Sequence, residues 1–277
     1  MHRSTNTLAV TAFALTAFAA NSLLCRLALG RGAIDAASFS AIRLLAGAAA
    51  LSAIVRVWRP GRQGVGGTWA SASMLVLYAI PFSFAYRSLG AGTGALVLFA
   101  SVQTTMLAAG IIAGERPGAR QISGILLAIA GLVYLVSPGL SAPSPTGCAL
   151  MAVAGIAWGG YTLRGRRVSD PLGETAGNFV RSIPFAAAVG LLALPRFHVT
   201  SSGALLAVLS GAIASGLGYV SWYAALRGLS ATRAASLQLA VPVLTAVGGV
   251  MFLSERVTMR LVAASILILG GVALARE

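Results

Sequence analysis

Long apolar runs dominate this chain of 277 residues and restrict the folds open to it. The runs are roughly 20 residues long, enough for a helix to span the hydrocarbon core of a bilayer. Because lipid offers no water to the backbone, only helices or closed β-barrels cross it. Barrel strands alternate apolar and polar residues, and these runs do not. The sequence therefore predicts an all-α integral membrane protein.

Turn and charge signals divide the chain into ten predicted transmembrane helices. The loops between them are short, as at Arg59–Gly64 and Gly114–Gly118, and leave no room for a second soluble domain. Composition agrees, because 57% of the residues are hydrophobic and only 9% are charged, too few to cover a soluble domain. The helices are predicted near residues 6–28, 36–57, 69–88, 91–113, 119–137, 146–163, 174–194, 202–226, 232–253 and 258–275.

The charged residues indicate an orientation in the membrane rather than a nucleic-acid partner. All 20 basic residues are arginine, and the formal net charge is +14, yet the chain lacks a basic patch or an aromatic RNA-binding motif. With the N-terminus in the cytoplasm, inner segments hold about twice as many arginines as outer ones. We therefore predict a multi-pass protein of the bacterial inner membrane with both termini cytoplasmic. Its predicted partners are the bilayer and a small-molecule substrate, and a monomer is sufficient.

The second half of the chain repeats features of the first half in the same order. With a shift of 140 residues, Glu115-Arg116 falls on Glu255-Arg256, and with a shift of 138, Arg43 falls on Arg181. Chance similarity between apolar helices is the alternative. Each half holds five helices, and since five is odd, the second half enters the membrane from the opposite side. The expected fold is two inverted five-helix repeats around a central cavity. The predicted repeats are residues 1–140 and 141–277.

Each half also carries a Tyr-x-x-Leu turn before its fourth helix, beginning at Tyr86 and at Tyr223. With the Glu-Arg pair after that helix, the pattern resembles the drug/metabolite transporter superfamily, and more narrowly its ten-helix EamA-type bacterial exporters. Within that group the whole chain is similar to YddG-type exporters of aromatic and other neutral amino acids. The resemblance implies a basket of ten helices, with helices 1–4 and 6–9 around the cavity and helices 5 and 10 at the periphery.

Aromatic and amide side chains at membrane depth are the candidates for substrate contact. Tyr78 and Phe82 share one helical face, Ser215 and Tyr219 repeat that spacing in the eighth helix, and Trp158 lies beside small residues. Helix packing, interfacial aromatic belts and interhelical hydrogen bonds are the alternatives. The residues predicted to contact the substrate are Asn21, Tyr78, Phe82, Phe99, Gln103, Trp158, Tyr161, Ser215, Tyr219 and Gln238.

Two arginines and three prolines are further candidates for functional residues. Arg43 and Arg181 occupy matched positions inside predicted helices two and seven, where either is a candidate to hold a substrate carboxylate. Snorkelling to the membrane surface or a structural pairing is the alternative. Three prolines, each of which removes a backbone hydrogen bond, are predicted either as hinges or as fixed kinks. They are Pro81, Pro184 and Pro242.

The acidic residues all lie at predicted helix ends, in loops or at the terminus, so the sequence offers no buried carboxylate as a proton relay. We therefore predict a facilitative, alternating-access exporter of neutral or amphipathic amino acids such as phenylalanine, methionine and threonine, or of related metabolites. A proton-coupled exporter of drugs or other metabolites is the alternative. An intramembrane enzyme is a remote alternative, because the sequence has no catalytic or metal-binding motif. A channel is equally remote, because nothing in the sequence resembles a selectivity filter. No catalytic residue, metal or cofactor is predicted. The six acids are Asp35, Glu115, Asp170, Glu174, Glu255 and Glu277.

Overall fold

The computed structural model describes residues 2–58, 66–114, 118–137, 139, 142–166, 168–229, 234 and 237–275, and the side chains from residue 7 onward. Within these ranges the chain folds into ten helices and a short 3₁₀ turn at Leu194–Arg196. The helices are α1 (His2–Gly30), α2 (Ala36–Trp58), α3 (Trp69–Ala85), α4 (Ala91–Ile112), α5 (Ala119–Val136), α6 (Pro145–Gly165), α7 (Pro171–Leu192), α8 (Ser201–Leu226), α9 (Ala240–Leu253) and α10 (Met259–Leu274). The predicted all-α fold is confirmed for the described residues.

Most helix boundaries lie within a few residues of those predicted. In the ninth predicted helix, residues 234, 237 and 238 are helical, a turn follows at Leu239, and α9 runs from Ala240 to Leu253. Most of the predicted segment 232–236 lies outside the described residues. Six described helices are long and apolar enough to cross a membrane, namely α1, α2, α4, α5, α6 and α8.

Side-chain caps fix where several helices begin. The hydroxyl oxygens of Thr68, Thr200 and Thr258 each accept a hydrogen bond from a backbone N–H in the first turn of the helix that follows. The carboxylate of Asp170 does the same at the start of α7. A cap satisfies one of the backbone donors that have no partner inside the helix. These polar residues therefore specify where the helices begin, which the apolar runs alone do not specify.

Helices α5 and α10 pair with each other at the edge of the bundle. Only 17% of the apolar stretch of α5 is buried inside the protein, against 50% for α1 and α2. The pair packs closely through glycines, since a Cβ atom on Gly271 would lie 2.5 Å from the Ala128 amide nitrogen and 2.6 Å from the Gly124 carbonyl oxygen. The outer surface of α5 exposes large apolar side chains such as Leu126 and Val133, as a lipid-facing helix does.

A pair of adjacent glycines in α10 allows a matched test of this packing. Gly271→Ala is expected to lower the free energy of unfolding by about 1–3 kcal/mol, because the methyl group overlaps backbone atoms of α5 that cannot move aside. Gly270 faces open space, so Gly270→Ala should be neutral or stabilising by about 0.5–1 kcal/mol. Thermal unfolding in detergent compares the two variants. Equal unfolding temperatures would contradict the close approach of α5 and α10.

The remaining helices form the centre of the bundle. Helix α6 packs on α3 and α4, helix α1 packs on α8 and α9, and α2 packs on α7. The small residues beside Trp158 include Gly155 and Gly159, and α4 approaches α6 there, since a Cβ on Gly155 would lie 2.5 Å from the Leu98 carbonyl oxygen.

Helix α8 changes geometry in its middle, a feature that the sequence pattern did not predict. Residues Ser210–Leu217 form a π-helical segment between two α-helical parts. Such wide turns are rare and often occur at functional sites. Here Gly211 lies against the backbone of α2, where a Cβ atom would overlap the Arg43 carbonyl oxygen. The π-helical segment thereby brings Ser210 and Ser215 into the centre of the bundle, where both are buried.

Candidate functional site

The guanidinium group of Arg43 is buried at the centre of the bundle, where only 1% of the residue is exposed. Its Nε donates to Ser215 Oγ over 3.0 Å, and its Nη2 donates to the phenol oxygens of Tyr78 at 3.1 Å and Tyr219 at 2.8 Å. Among the described residues, Nη1 has no hydrogen-bond partner. The snorkelling interpretation is therefore wrong for Arg43, because the side chain turns inward and not to the membrane surface.

Aromatic rings rather than a carboxylate surround this charge. The Cζ atom of Arg43 lies 5.1 Å from the ring centre of Tyr78 and 5.0 Å from that of Phe82, within the range of cation–π attraction. The ion pair between described residues joins Arg26 and Glu255 instead. A buried charge without a counter-charge costs free energy, and such residues inside a membrane usually serve function. The centre of the bundle therefore carries a positive charge that is not paired with a carboxylate of the described residues.

Amide and hydroxyl groups extend the network from Tyr78 to α1 and from there to a second point on α8. Asn21 of α1 donates through Nδ2 to the Tyr78 hydroxyl over 3.0 Å. Ser210 of α8 donates to Asn21 Oδ1 over 2.6 Å. The phenol oxygen of Tyr78 therefore accepts from both Asn21 and Arg43, which ties α1, α2, α3 and α8 together at the same depth.

Trp158 of α6 is the centre of a buried aromatic cluster. Its ring centre lies 4.6 Å from Tyr219, 5.0 Å from Tyr78 and 5.3 Å from Phe18, and it stacks on Tyr161 at 5.4 Å. These separations are typical of favourable tilted and edge-on ring pairs. Helices from both halves of the chain thus present aromatic surface to one another around the charge of Arg43.

A small cavity with room for about one water molecule lies within this cluster. Four predicted substrate contacts line it: Tyr78, Phe82, Phe99 and Trp158. Three residues outside the predicted set complete its wall: Phe18, Ser22 and Leu98. For Phe18 and Ser22, the spacing of four residues along α1, beside Asn21, was the available signal, because residues i and i+4 share a helix face.

Other predicted contacts lie outside the cavity wall. Gln103 and Gln238 are buried, with 2% and 0% exposure, but neither lines the cavity. Both amide atoms of Gln238 lack a hydrogen-bond partner among the described residues. Arg181, the repeat partner of Arg43, lies at one end of the bundle, where its Nη1 donates to the Gly66 carbonyl oxygen over 2.6 Å. The structure thus separates the two matched arginines.

The three candidate hinge prolines differ in their positions. Pro81 and Pro184 lie inside α3 and α7. Pro242 is the third residue of α9 and follows a turn at Leu239, before which Leu237 and Gln238 are again helical. Because proline has no backbone N–H, it cannot donate to the carbonyl group four residues earlier, that of Gln238. Pro242 therefore stays a candidate for a kink next to this turn.

The described carboxylates lie at the two ends of the bundle. Glu255 accepts from Arg26 Nε at 3.0 Å and from the Ala91 backbone N–H at 2.8 Å, so it caps α4 and ties it to α1. This agrees with the position predicted for Glu255 outside the helix interiors, whereas its repeat partner Glu115 lies outside the described residues. Partial burial alone would raise the pKa of Asp35, but hydrogen bonds from Ser38 and neighbouring backbone groups outweigh burial and lower that pKa.

Comparison of the sequence with known proteins identifies the family of this chain. Residues 145–276 match the model of the EamA-like transporter family. An uncharacterized protein of Pseudomonas aeruginosa is 49% identical over 268 residues, which cover 97% of this chain and 93% of that protein. The chain belongs to the EamA-like transporter family. The resemblance to the drug/metabolite transporter superfamily is thereby confirmed, and this EamA-like chain is a transporter rather than an enzyme.

Two further relatives have names that state what they export. A probable amino-acid metabolite efflux pump of Salmonella typhimurium is 28% identical over 65% of this EamA-like transporter and 66% of the pump. The threonine/homoserine exporter RhtA of Escherichia coli is 31% identical over 56% of the chain and 53% of the exporter. A solved crystal structure with 22% identity and a TM-score of 0.65 covers 95% of the chain and 98% of its own, so the fold is shared. The EamA-like transporter is a multi-pass inner-membrane protein.

Proposed function

We propose that this EamA-like transporter exports neutral amino acids, including aromatic ones, or related small metabolites, by alternating access and without a coupling ion. The observation that carries the proposal is the buried Arg43 beside an aromatic cavity from which described carboxylates are absent. A cation among rings fits a solute that has a carboxylate and an apolar side chain. The names of the Salmonella pump and the Escherichia coli exporter agree with such a substrate.

Each group of side chains has a proposed role. Phe82, Phe99 and Trp158 contact the apolar part of the solute, and Tyr161 supports Trp158 by stacking. Arg43 binds the carboxylate, and its hydrogen bonds to Tyr78, Ser215 and Tyr219 hold the guanidinium in place. Asn21, Gln103 and Gln238 supply amide groups to the polar part of the solute when the cavity is open.

Matched helix contacts support the proposed inverted repeat of residues 1–140 and 141–277. Helix α1 packs on α8 and α9, just as α6 packs on α3 and α4. The pairs α2–α7 and α5–α10 each join equivalent helices of the two halves. If each helix is replaced by its equivalent in the other half, the same set of helix contacts results, as a two-fold axis in the membrane plane requires. Rocking of such halves exposes a central site to one side at a time.

Matched closures at the two ends of the bundle support alternating opening. At one end, the segment 66–68 between α2 and α3 lies on α7, where Glu174 Oε2 accepts from the Gly67 N–H at 2.9 Å and Asn178 Oδ1 accepts from the Thr68 N–H at 3.0 Å. At the other end, the segment 198–200 between α7 and α8 pairs with 33–35, which precedes α2. We infer that these contacts part in alternation, with Pro81, Pro184 and Pro242 as hinges, and that the 66–68 end and both termini face the cytoplasm.

Counterflow of phenylalanine tests the carrier mechanism. Proteoliposomes loaded with unlabelled phenylalanine should transiently accumulate labelled phenylalanine above its equilibrium level, with no ion gradient imposed, because exchange through an alternating site links the two fluxes. Protein-free liposomes are the control. Equilibration without an overshoot would indicate a channel, and an overshoot that needs an imposed pH gradient would show proton coupling. Parallel assays with methionine and threonine define the range of side chains.

A further inference from the structure

The hydrogen bonds around Arg43 leave one of its donors without an acceptor in the described part of the chain. Arg43 Nη1 is a buried donor without a partner among the described residues. The phenol oxygen of Tyr78 already accepts two hydrogen bonds, from Asn21 and Arg43, and Asn21 Oδ1 already accepts from Ser210. A phenol oxygen has two acceptor sites at most. The polar atoms next to the cavity therefore favour a ligand that accepts hydrogen bonds.

The charge of the site leads to the same conclusion. A carboxylate would pair with Arg43 and remove the uncompensated buried charge, whereas an amino acid brings a carboxylate together with an ammonium group. The ammonium carries three donors and no acceptor, and the described carboxylates lie at the bundle ends, where Glu255 caps α4 and pairs with Arg26. The amide oxygen of Gln238 and aromatic faces such as that of Trp158 remain as its partners, and neither supplies a counter-charge. A zwitterion therefore leaves the site with a net positive charge, and a monoanion leaves it neutral.

We propose that this site also transports amphipathic monocarboxylates that lack the amino group, 2-oxo and 2-hydroxy acids with an aromatic or aliphatic side chain, and that it binds them more tightly than the matching amino acids. The inference rests on the proposed function, because it uses the same cavity and the same carboxylate contact to Arg43. The oxo or hydroxyl oxygen of such acids adds a second hydrogen-bond acceptor at the position where an amino acid presents donors. The apolar side chain contacts Phe82, Phe99 and Trp158, as in the amino acid.

Three solutes with the same ring and nearly the same length separate the groups that the site recognises. Purified full-length protein in liposomes is assayed with labelled phenylalanine, phenylpyruvate and phenethylamine, which carry both charged groups, the carboxylate alone and the amine alone. Phenylpyruvate should be transported and should inhibit phenylalanine counterflow at a concentration about tenfold lower than unlabelled phenylalanine does. Phenethylamine should do neither. A potential set with potassium and valinomycin should change net phenylpyruvate flux, which moves one negative charge, and leave phenylalanine flux unchanged.

The outcomes distinguish a failure of this inference from a failure of the proposed function. Transport of phenylalanine without transport or inhibition by phenylpyruvate overturns this inference and leaves the proposed function standing. Transport of neither solute overturns both. Transport of phenylpyruvate alone supports the inference and removes amino acids from the proposed function. These assays use the unaltered protein, so they do not depend on a variant that folds. Arg43→Gln should then abolish phenylpyruvate flux, and retained flux in a folded Arg43→Gln protein would also overturn the inference.

Discussion

Arg43→Gln is expected to lower transport about 100-fold or more while leaving the protein as stable as before. The loss follows because a buried substrate carboxylate without its cationic partner costs about 3–5 kcal/mol, which exceeds a factor of 100. Stability should be retained, since Arg43 is itself a buried charge without a counter-charge, and removing such a charge is often neutral or favourable. Glutamine keeps an amide that can still bond to the hydroxyls of Tyr78, Ser215 or Tyr219.

Two comparisons make the Arg43 result specific to charge and geometry. Arg43→Lys keeps the charge but loses the planar fork that donates to three partners at once, so an intermediate rate is expected. Arg87 is exposed at the end of the bundle, and Arg87→Gln should transport at the unaltered rate. Rates are measured by counterflow in proteoliposomes, and folding by thermal unfolding in detergent. Full activity of Arg43→Gln would exclude Arg43 from the transport site.

Trp158→Ala is expected to reduce transport at least about tenfold, because it removes the ring that contacts the cavity and four neighbouring rings. Removing a buried Trp also destabilises a protein by about 3–5 kcal/mol. Trp158→Phe keeps an aromatic face and should retain more activity and more stability. Measuring both variants separates the loss of a substrate contact from the loss of packing.

Trp69 offers the control for this experiment. It lies in α3 with 58% exposure and contacts Phe185 away from the cavity. Trp69→Ala should therefore leave the transport rate unchanged at a small cost in stability. Trp158→Ala protein that unfolds normally in detergent and still exchanges phenylalanine at the unaltered rate would remove Trp158 from the site.

Several site residues were predictable because their environment follows from local pattern. Tyr78 and Phe82 share a helix face by spacing alone, and Trp158 lies in a helix whose small residues form the close contact with α4. Both expectations led to residues that line the cavity. Phe18 was missed because α1 also carries large apolar residues on its outer side, such as Leu8 and Phe13, so that its apolar residues alone do not identify the inward face. The π-helical segment of α8 was missed because its wide turn is stabilised by contacts with α2, which lie far away in sequence.

Hydrophobic run length and the alternation of charges between runs determined, from the sequence alone, that the chain is helical and crosses a membrane repeatedly. These are local properties, set by the cost of exposing backbone and charge to lipid. Only the tertiary structure decided which of two equivalent arginines became the central charge. Gly211 in the π-helical segment of α8 lets that segment lie against α2, so Arg43 is enclosed by side chains of α3 and α8. Arg181 instead meets the backbone of Gly66. Burial depends on which elements pack together, and no pattern within one helix specifies its neighbours.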